Sequence, residues 1–144
     1  RPFEVFINSK NMDHFQWVLA LTRVVSAVFR KGGDCTFLVE ELKAVFDPKG
    51  GYFKRGGRFM PSLVAEIGEA IEHHMKSIGL LPQETLDPRQ KAYIAARRQA
   101  LANNDQASDG YPASADLCGK CHTRAVVYSD GCNTCLNCGD SKCS

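Results

Sequence analysis

Six of the seven cysteines, Cys118, Cys121, Cys132, Cys135, Cys138 and Cys143, crowd into residues 118–144 of this 144-residue chain. A disulfide-stapled secreted protein spreads its cysteines through the fold it has to close. Crowding at one end points instead to metal or redox chemistry in a reducing compartment, and so to a cytoplasmic protein. A segment this short cannot bury enough apolar surface to fold alone, so a bound ion is expected to supply most of its stability.

Spacing suggests the ion. Cys118-Gly-Lys-Cys121 and Cys135-Leu-Asn-Cys138 are two C-x-x-C knuckles, and Ala125 to Tyr128 with a turn at Ser129-Asp-Gly131 can form a hairpin between them. Two residues between thiolates let a tight turn aim both sulfurs at one tetrahedral ion, and the hairpin brings the second turn opposite the first, as in a zinc ribbon. A structural zinc takes four thiolates, two fewer than are present. The favoured ligands are Cys118, Cys121, Cys135 and Cys138, because Gly139 follows the last of them, where a left-handed residue is often needed, and because the longer spacing leaves room for both hairpin arms. That choice leaves Cys132 and Cys143 unliganded. The rival set, Cys118, Cys121, Cys132 and Cys135, instead frees Cys138 and Cys143. In both schemes a thiol stays at the terminus beside Lys142, whose charge favours the thiolate. The plainer alternative is one zinc with two inert cysteines. His122 is expected on the hairpin surface rather than among the ligands, and Cys35 reads as a small buried apolar residue.

The rest of the chain is mainly helical in pattern. Phe15, Val18, Leu19, Thr22, Val25 and Phe29 predict a helix from Met12 to Lys31, capped by Asn11 or Asp13 and stopped at Gly32-Gly33. A shorter helix is predicted from about Thr36 to Phe46. A third begins after Pro61-Ser62 and carries Leu63, Ile67, Ala70, Ile71, Met75 and Ile78 at helical spacing before Gly79. Asp87-Pro88 opens a charged helix to Ala102 whose apolar stripe is thin, which predicts weak docking or a spacer. Pro2 to Asn8 alternates in the manner of a strand. Asn103 to Asp116, small, polar and acidic, reads as a flexible linker. The expected fold is therefore α+β: residues 1–82 as helices on a small sheet, a charged helix over 83–102, a linker over 103–117 and a zinc ribbon over 118–144. One strand cannot make a sheet, so Pro2 to Asn8 must pair outside the chain or with short strands near residues 52 to 60. That, and a start at Arg1 instead of methionine, leads to the expectation that the chain is a piece of a longer protein.

Charge limits the partners. Eighteen Lys+Arg against sixteen Asp+Glu leave a net charge of +2, a weak basis for binding a nucleic-acid polymer. No apolar run approaches the roughly 18 to 20 residues that cross a bilayer, so no membrane partner is expected. The glycine-rich loop from Lys49 to Arg58, with Lys54, Arg55 and Arg58, could contact phosphate or dock a partner, but it lacks the Gly-Lys-Ser/Thr of a P-loop. His73 and His74 point about 100 degrees apart on a helix and cannot share an ion unaided. No spacing marks a catalytic Ser/His/Asp or Cys/His set.

The segments Arg-Pro-Phe-Glu-Val-Phe-Ile-Asn-Ser-Lys (1–10), Glu-Leu-Lys-Ala-Val-Phe-Asp-Pro-Lys-Gly-Gly-Tyr (41–52), Met-Pro-Ser-Leu-Val-Ala-Glu-Ile-Gly (60–68) and Asp-Gly-Cys-Asn-Thr-Cys-Leu-Asn-Cys-Gly-Asp-Ser-Lys-Cys (130–143) resemble the C-terminal part of adenosylcobalamin-dependent, class II ribonucleotide reductase. The resemblance includes the TSCPD domain and is closest to the small separate component of the split enzyme. It implies a role in reducing ribonucleotides to deoxyribonucleotides for DNA replication, with adenosylcobalamin on the catalytic subunit. In that family a mobile cysteine pair reduces the active-site disulfide and is restored by thioredoxin or glutaredoxin. Its C-x4-C spacing matches Cys138 and Cys143, in competition with Cys138 as a ligand. The assignment adopted here is zinc on Cys118, Cys121, Cys135 and Cys138, with Cys132 and Cys143 as the redox relay, since Cys143 can fold back over a short tail. The chain lacks the radical-bearing barrel, so it is not catalytic alone. The competing reading is a non-enzymatic zinc-ribbon adaptor for nucleic acid or protein.

Overall fold

Apolar residues three and four apart build the helices of the first of two units in this computed structural model, which describes residues 1–8, 12–102 and 110–143. The first unit is Arg1–Val45 with Val64–Gln83, and the second is Phe46–Leu63 with Glu84–Ser144. The units are interleaved in sequence, and the chain as a whole is α+β. Among the described residues no helix is long and apolar enough to cross a membrane.

In the first unit a 3-10 turn, Met12–His14, leads into α1, Phe15–Lys31, followed by α2, Phe37–Lys43, and α3, Leu63–Ser77. Val25 and Phe29 of α1, Val39 and Leu42 of α2, and Ile71 and Met75 of α3 share one core with Cys35. Gly32, at φ 80°, closes α1 with its N–H on the Val28 and Phe29 carbonyls. The start differs from expectation. Asn11 lies outside the described residues, and His14 holds the cap position without a side-chain bond. Asp34 opens α2, accepting the Thr36 N–H at 2.9 Å and its hydroxyl at 2.6 Å, and α2 ends at Lys43, short of Phe46. His73 and His74 are both exposed near the end of α3.

Close contact between α2 and α3 depends on Gly68, where a Cβ would come within 2.9 Å of Leu42 Cβ and 3.1 Å of the Lys43 backbone nitrogen. Gly68→Ala should therefore destabilise this unit by about 1 to 3 kcal/mol, despite the better helix propensity of alanine. Chemical denaturation of the full chain measures it, and an unchanged or raised midpoint would show that the helices separate freely.

Pro2 to Asn8 does not form the expected strand. Val5 instead donates its N–H to Ser26 Oγ at 3.1 Å and accepts from that hydroxyl at 3.3 Å, which ties the segment to α1. A strand needs a neighbouring edge, and among its described residues this unit contains helices only, so no edge is offered. The expected sheet beneath the helices is corrected accordingly: the helices pack on one another.

The second unit holds both sheets. Strands β1, Tyr52–Phe53, and β2, Phe59–Met60, make the hairpin of the glycine-rich loop. Strands β3, Asp116–Leu117, β4, Arg124–Ser129, β5, Cys132–Cys135, and β6, Ser141–Cys143, form an antiparallel sheet in that order. The hairpin joins this ribbon: Phe59 donates to the His122 carbonyl at 2.6 Å, Arg124 donates to the Gly57 carbonyl at 2.7 Å, and Arg58 bridges Thr123. Gly57 adopts φ 72°, a left-handed conformation that favours glycine at this point of the hairpin. The Arg124 guanidinium lies 5.1 Å from the Phe53 ring centroid.

Two expectations change here. Residues 103–109 of the expected linker lie outside the described residues, but its remainder is ordered: Ala115 is buried, its N–H reaches the Pro112 carbonyl at 3.0 Å, and Asp116 and Leu117 are β3. The charged helix is α4, Pro88–Ala102, opened by Asp87, whose carboxylate takes the Arg89 N–H at 2.8 Å. It is more than a spacer. Ile94 is buried in the ribbon core beside Leu86 and Leu101. Arg97 donates to Ser129 Oγ, and Arg98 reaches the Leu136 carbonyl through Nη2 at 2.6 Å and Nε at 3.1 Å. Charged side chains thus anchor a helix whose apolar stripe alone would hold it weakly.

Candidate metal centre

The ribbon sheet presents its two knuckles to each other. Cys118 follows β3, Cys121 precedes β4, Cys135 ends β5 and Cys138 lies in the turn before β6. Their four sulfurs lie within 4.8 Å of one another. Cys118 Sγ is 3.7 Å from Cys138 Sγ, and Cys121 Sγ is 3.7 Å from Cys135 Sγ. Tetrahedral zinc, with Zn–S about 2.3 Å, requires sulfurs about 3.8 Å apart. The residues present therefore fit such an ion, and the four cysteines could hold one. Cys132 and Cys143 are not in this group. They oppose each other across β5 and β6 and form a disulfide, with Cα atoms 4.1 Å apart.

Both knuckles use the same backbone device. The residue after the second cysteine donates its N–H to the carbonyl of the first, His122 to Cys118 and Gly139 to Cys135, each at 3.0 Å. Both residues have positive φ, 54° for His122 and 76° for Gly139. His122 is exposed and outside the sulfur cluster, and it supplies the tight turn that glycine supplies in the other knuckle. At Gly139 a side chain would also collide with Leu86 Cδ2, 2.8 Å from an added Cβ.

Hydrogen bonds surround the sulfurs. The Lys120 N–H points at Cys118 Sγ and the Asn137 N–H at Cys135 Sγ, each at 3.4 Å. The Asn137 side-chain amide donates to Cys121 Sγ at 3.5 Å and to Thr123 Oγ1 at 3.3 Å. Tyr111 donates to Asn137 Oδ1 at 3.0 Å, and Arg98 donates to the Tyr111 hydroxyl at 2.8 Å from a guanidinium 4.8 Å from the ring centroid. Such outer contacts orient ligands and tune a metal. Asn137, Tyr111 and Arg98 are not among the residues to which cysteine spacing points. For Asn137 the available signal was a donor side chain between the paired cysteines; Tyr111 was hidden in the presumed linker.

These surroundings split the thiols. Burial opposes ionisation of Cys121, but hydrogen bonds from Asn137 and Thr123 outweigh it and bring the thiol down to about 6. Burial pushes Cys135 and Cys138 up; Cys121 and Cys135 push Cys138 further, whereas at Cys135 burial prevails over hydrogen bonds from Cys138 and Asn137 that pull the other way. Without a cation Cys135 and Cys138 therefore keep their protons, and a divalent ion would displace them as it binds. Zinc in this position would be structural, since four protein thiolates leave no open coordination site.

A groove of about 430 Å³ runs along α4, with Arg89, Tyr93 and Ile94 on one side and Ser129, Cys132 and Thr134 on the other. The disulfide thus forms part of a concave surface, while Cys143 lies exposed on the last strand.

Comparison with known families gives one result: the family model described as TSCPD domain matches residues 1–75. No curated protein and no solved structure matches the chain.

Proposed function

We propose, from the premise that this chain belongs to the TSCPD domain family, that it is an accessory part of an adenosylcobalamin-dependent ribonucleotide reductase, closest to the small component of the split enzyme. The TSCPD domain is typical of class II ribonucleotide reductases, and the match over residues 1–75 is the observation that carries the reading. In it, the chain docks on the catalytic subunit, which holds the adenosylcobalamin that supplies the radical chemistry. The chain's own contribution is two electrons. The Cys132 and Cys143 thiols reduce the disulfide left in the active site at each turnover and become the disulfide of β5 and β6. A thioredoxin- or glutaredoxin-type dithiol then restores them. A pair in which Cys143 lies on an exposed strand and Cys132 lines an open groove suits exchange with two partners in turn. The metal cluster anchors the ribbon that carries the pair.

The direct test is association. The full chain should co-elute with a cobalamin-dependent catalytic subunit that lacks its own TSCPD domain and raise its multiple-turnover rate. Absence of binding at micromolar concentrations of both would overturn the proposal.

A further inference from the structure

The disulfide and the metal cluster occupy one hairpin. β5 and β6 meet in a turn with Cys135 at its entrance and Cys138 inside it. That end is closed by Gly139 N–H to the Cys135 carbonyl at 3.0 Å and Cys135 N–H to the Asp140 carbonyl at 2.8 Å. At the other end Cys132 and Cys143 are in register and bonded. Only two further pairs lie between, Asn133 with Lys142 and Thr134 with Ser141, the latter with hydroxyls 3.0 Å apart. β6 is exposed along its length and, among the described residues, has one neighbouring strand. Apolar burial therefore does little to hold it, and the hairpin depends on the clamps at its two ends.

We propose that these clamps are coupled: closing the Cys132–Cys143 disulfide tightens metal binding by Cys118, Cys121, Cys135 and Cys138, and bound metal makes the disulfide harder to reduce. The inference rests on the reading of those four cysteines as ligands, and needs no ribonucleotide reductase. Its cause is chain entropy. A cross-link spanning 11 residues of sequence confines the chain around Cys135 and Cys138 before the ion arrives, so less freedom is lost in gathering them onto it. Metal binding and folding of so small a ribbon are one process, so whatever assists one assists the other. Linkage then requires the two effects to be equal. For a loop of this length the chain-entropy relation sets a ceiling of about 100-fold, and about tenfold is expected because part of the hairpin persists without the bond. Tenfold in the two-electron equilibrium is about 30 mV.

The test uses the full chain, zinc ion and a competing chelator. Oxidised wild type is compared with the Cys132→Ser/Cys143→Ser double variant, which cannot form the bond and offers no rival thiols. In the reciprocal arm the wild type is equilibrated with glutathione, two thiols giving two electrons to the disulfide and leaving as one glutathione disulfide, with zinc saturating or chelated away. Oxidised wild type should hold zinc about tenfold more tightly, and zinc should shift the glutathione equilibrium by the same factor. Affinities within threefold of each other, or a glutathione equilibrium indifferent to zinc, would overturn the coupling while leaving the metal site intact. No zinc bound by either form would overturn the metal reading and the coupling with it.

Discussion

Serine at Cys118, Cys121, Cys135 or Cys138 should lower bound zinc from one equivalent per chain to near none and unfold the ribbon. Serine at Cys132 or Cys143 should leave one equivalent in place. The expected effect is large because the candidate ligands Cys118 and Cys135 are themselves part of the ribbon's buried core cluster, which they share with Ile94, Ala125 and Leu136. Structural zinc in small domains contributes about 10 to 16 kcal/mol of apparent binding free energy, far more than that core can supply. Metal analysis of the single variants, with circular dichroism of each, measures both quantities. Zinc lost on Cys132→Ser and kept on Cys138→Ser would move the metal to the rival set of Cys118, Cys121, Cys132 and Cys135.

Loss of either Cys132 or Cys143 should cut multiple turnover of the reconstituted reductase by about two orders of magnitude with a thioredoxin-type dithiol as reductant. A relay tethered beside the active site works at the high effective concentration of an intramolecular reaction, worth about 10²- to 10⁴-fold over the same thiols free in solution. A single turnover should be untouched, because the first active-site dithiol is already reduced. A small dithiol such as dithiothreitol at high concentration should restore much of the rate by direct attack on the disulfide. Equal loss of single and multiple turnover would give these cysteines a structural role, and full activity of both variants would remove them from the electron path.

Legibility in the sequence follows the range of the interaction. The helical stripes of α1 and α3 were readable because three- and four-residue spacing is a local property, and Phe29 and Met75 lie in the core where that spacing puts them. Asp87 was readable as a cap for the same reason. Pro2 to Asn8 was not: alternation states a preference for a sheet edge, and whether an edge exists is decided elsewhere in the chain. α4 was misjudged because its anchoring rests on Arg97 and Arg98, and arginines on a helix surface look alike whether they meet solvent or a carbonyl such as that of Leu136. At the metal centre, Gly139 was readable since glycine announces a left-handed position. His122 takes up the same conformation without any compositional sign of it.

By itself the sequence determined that two C-x-x-C turns exist, that each can aim two sulfurs at one point, and that helices separate them from the start of the chain. Each of these depends on residues within one or two turns of one another. Tertiary structure alone decided that Cys132 stands opposite Cys143, that the residue 52–60 hairpin joins the ribbon through Gly57 and Phe59, and that Arg98, Tyr111 and Asn137 form one chain of hydrogen bonds ending on Cys121. Strand register is the reason in the first case: a shift of one residue between β5 and β6 would turn the two cysteines to opposite faces, and nothing within either strand specifies the alignment. It is specified where the strands meet, by Gly139 N–H on the Cys135 carbonyl and Cys135 N–H on the Asp140 carbonyl; Gly139 announces a turn in the sequence, but the pairing that follows from it rests on backbone groups that carry no mark of residue type.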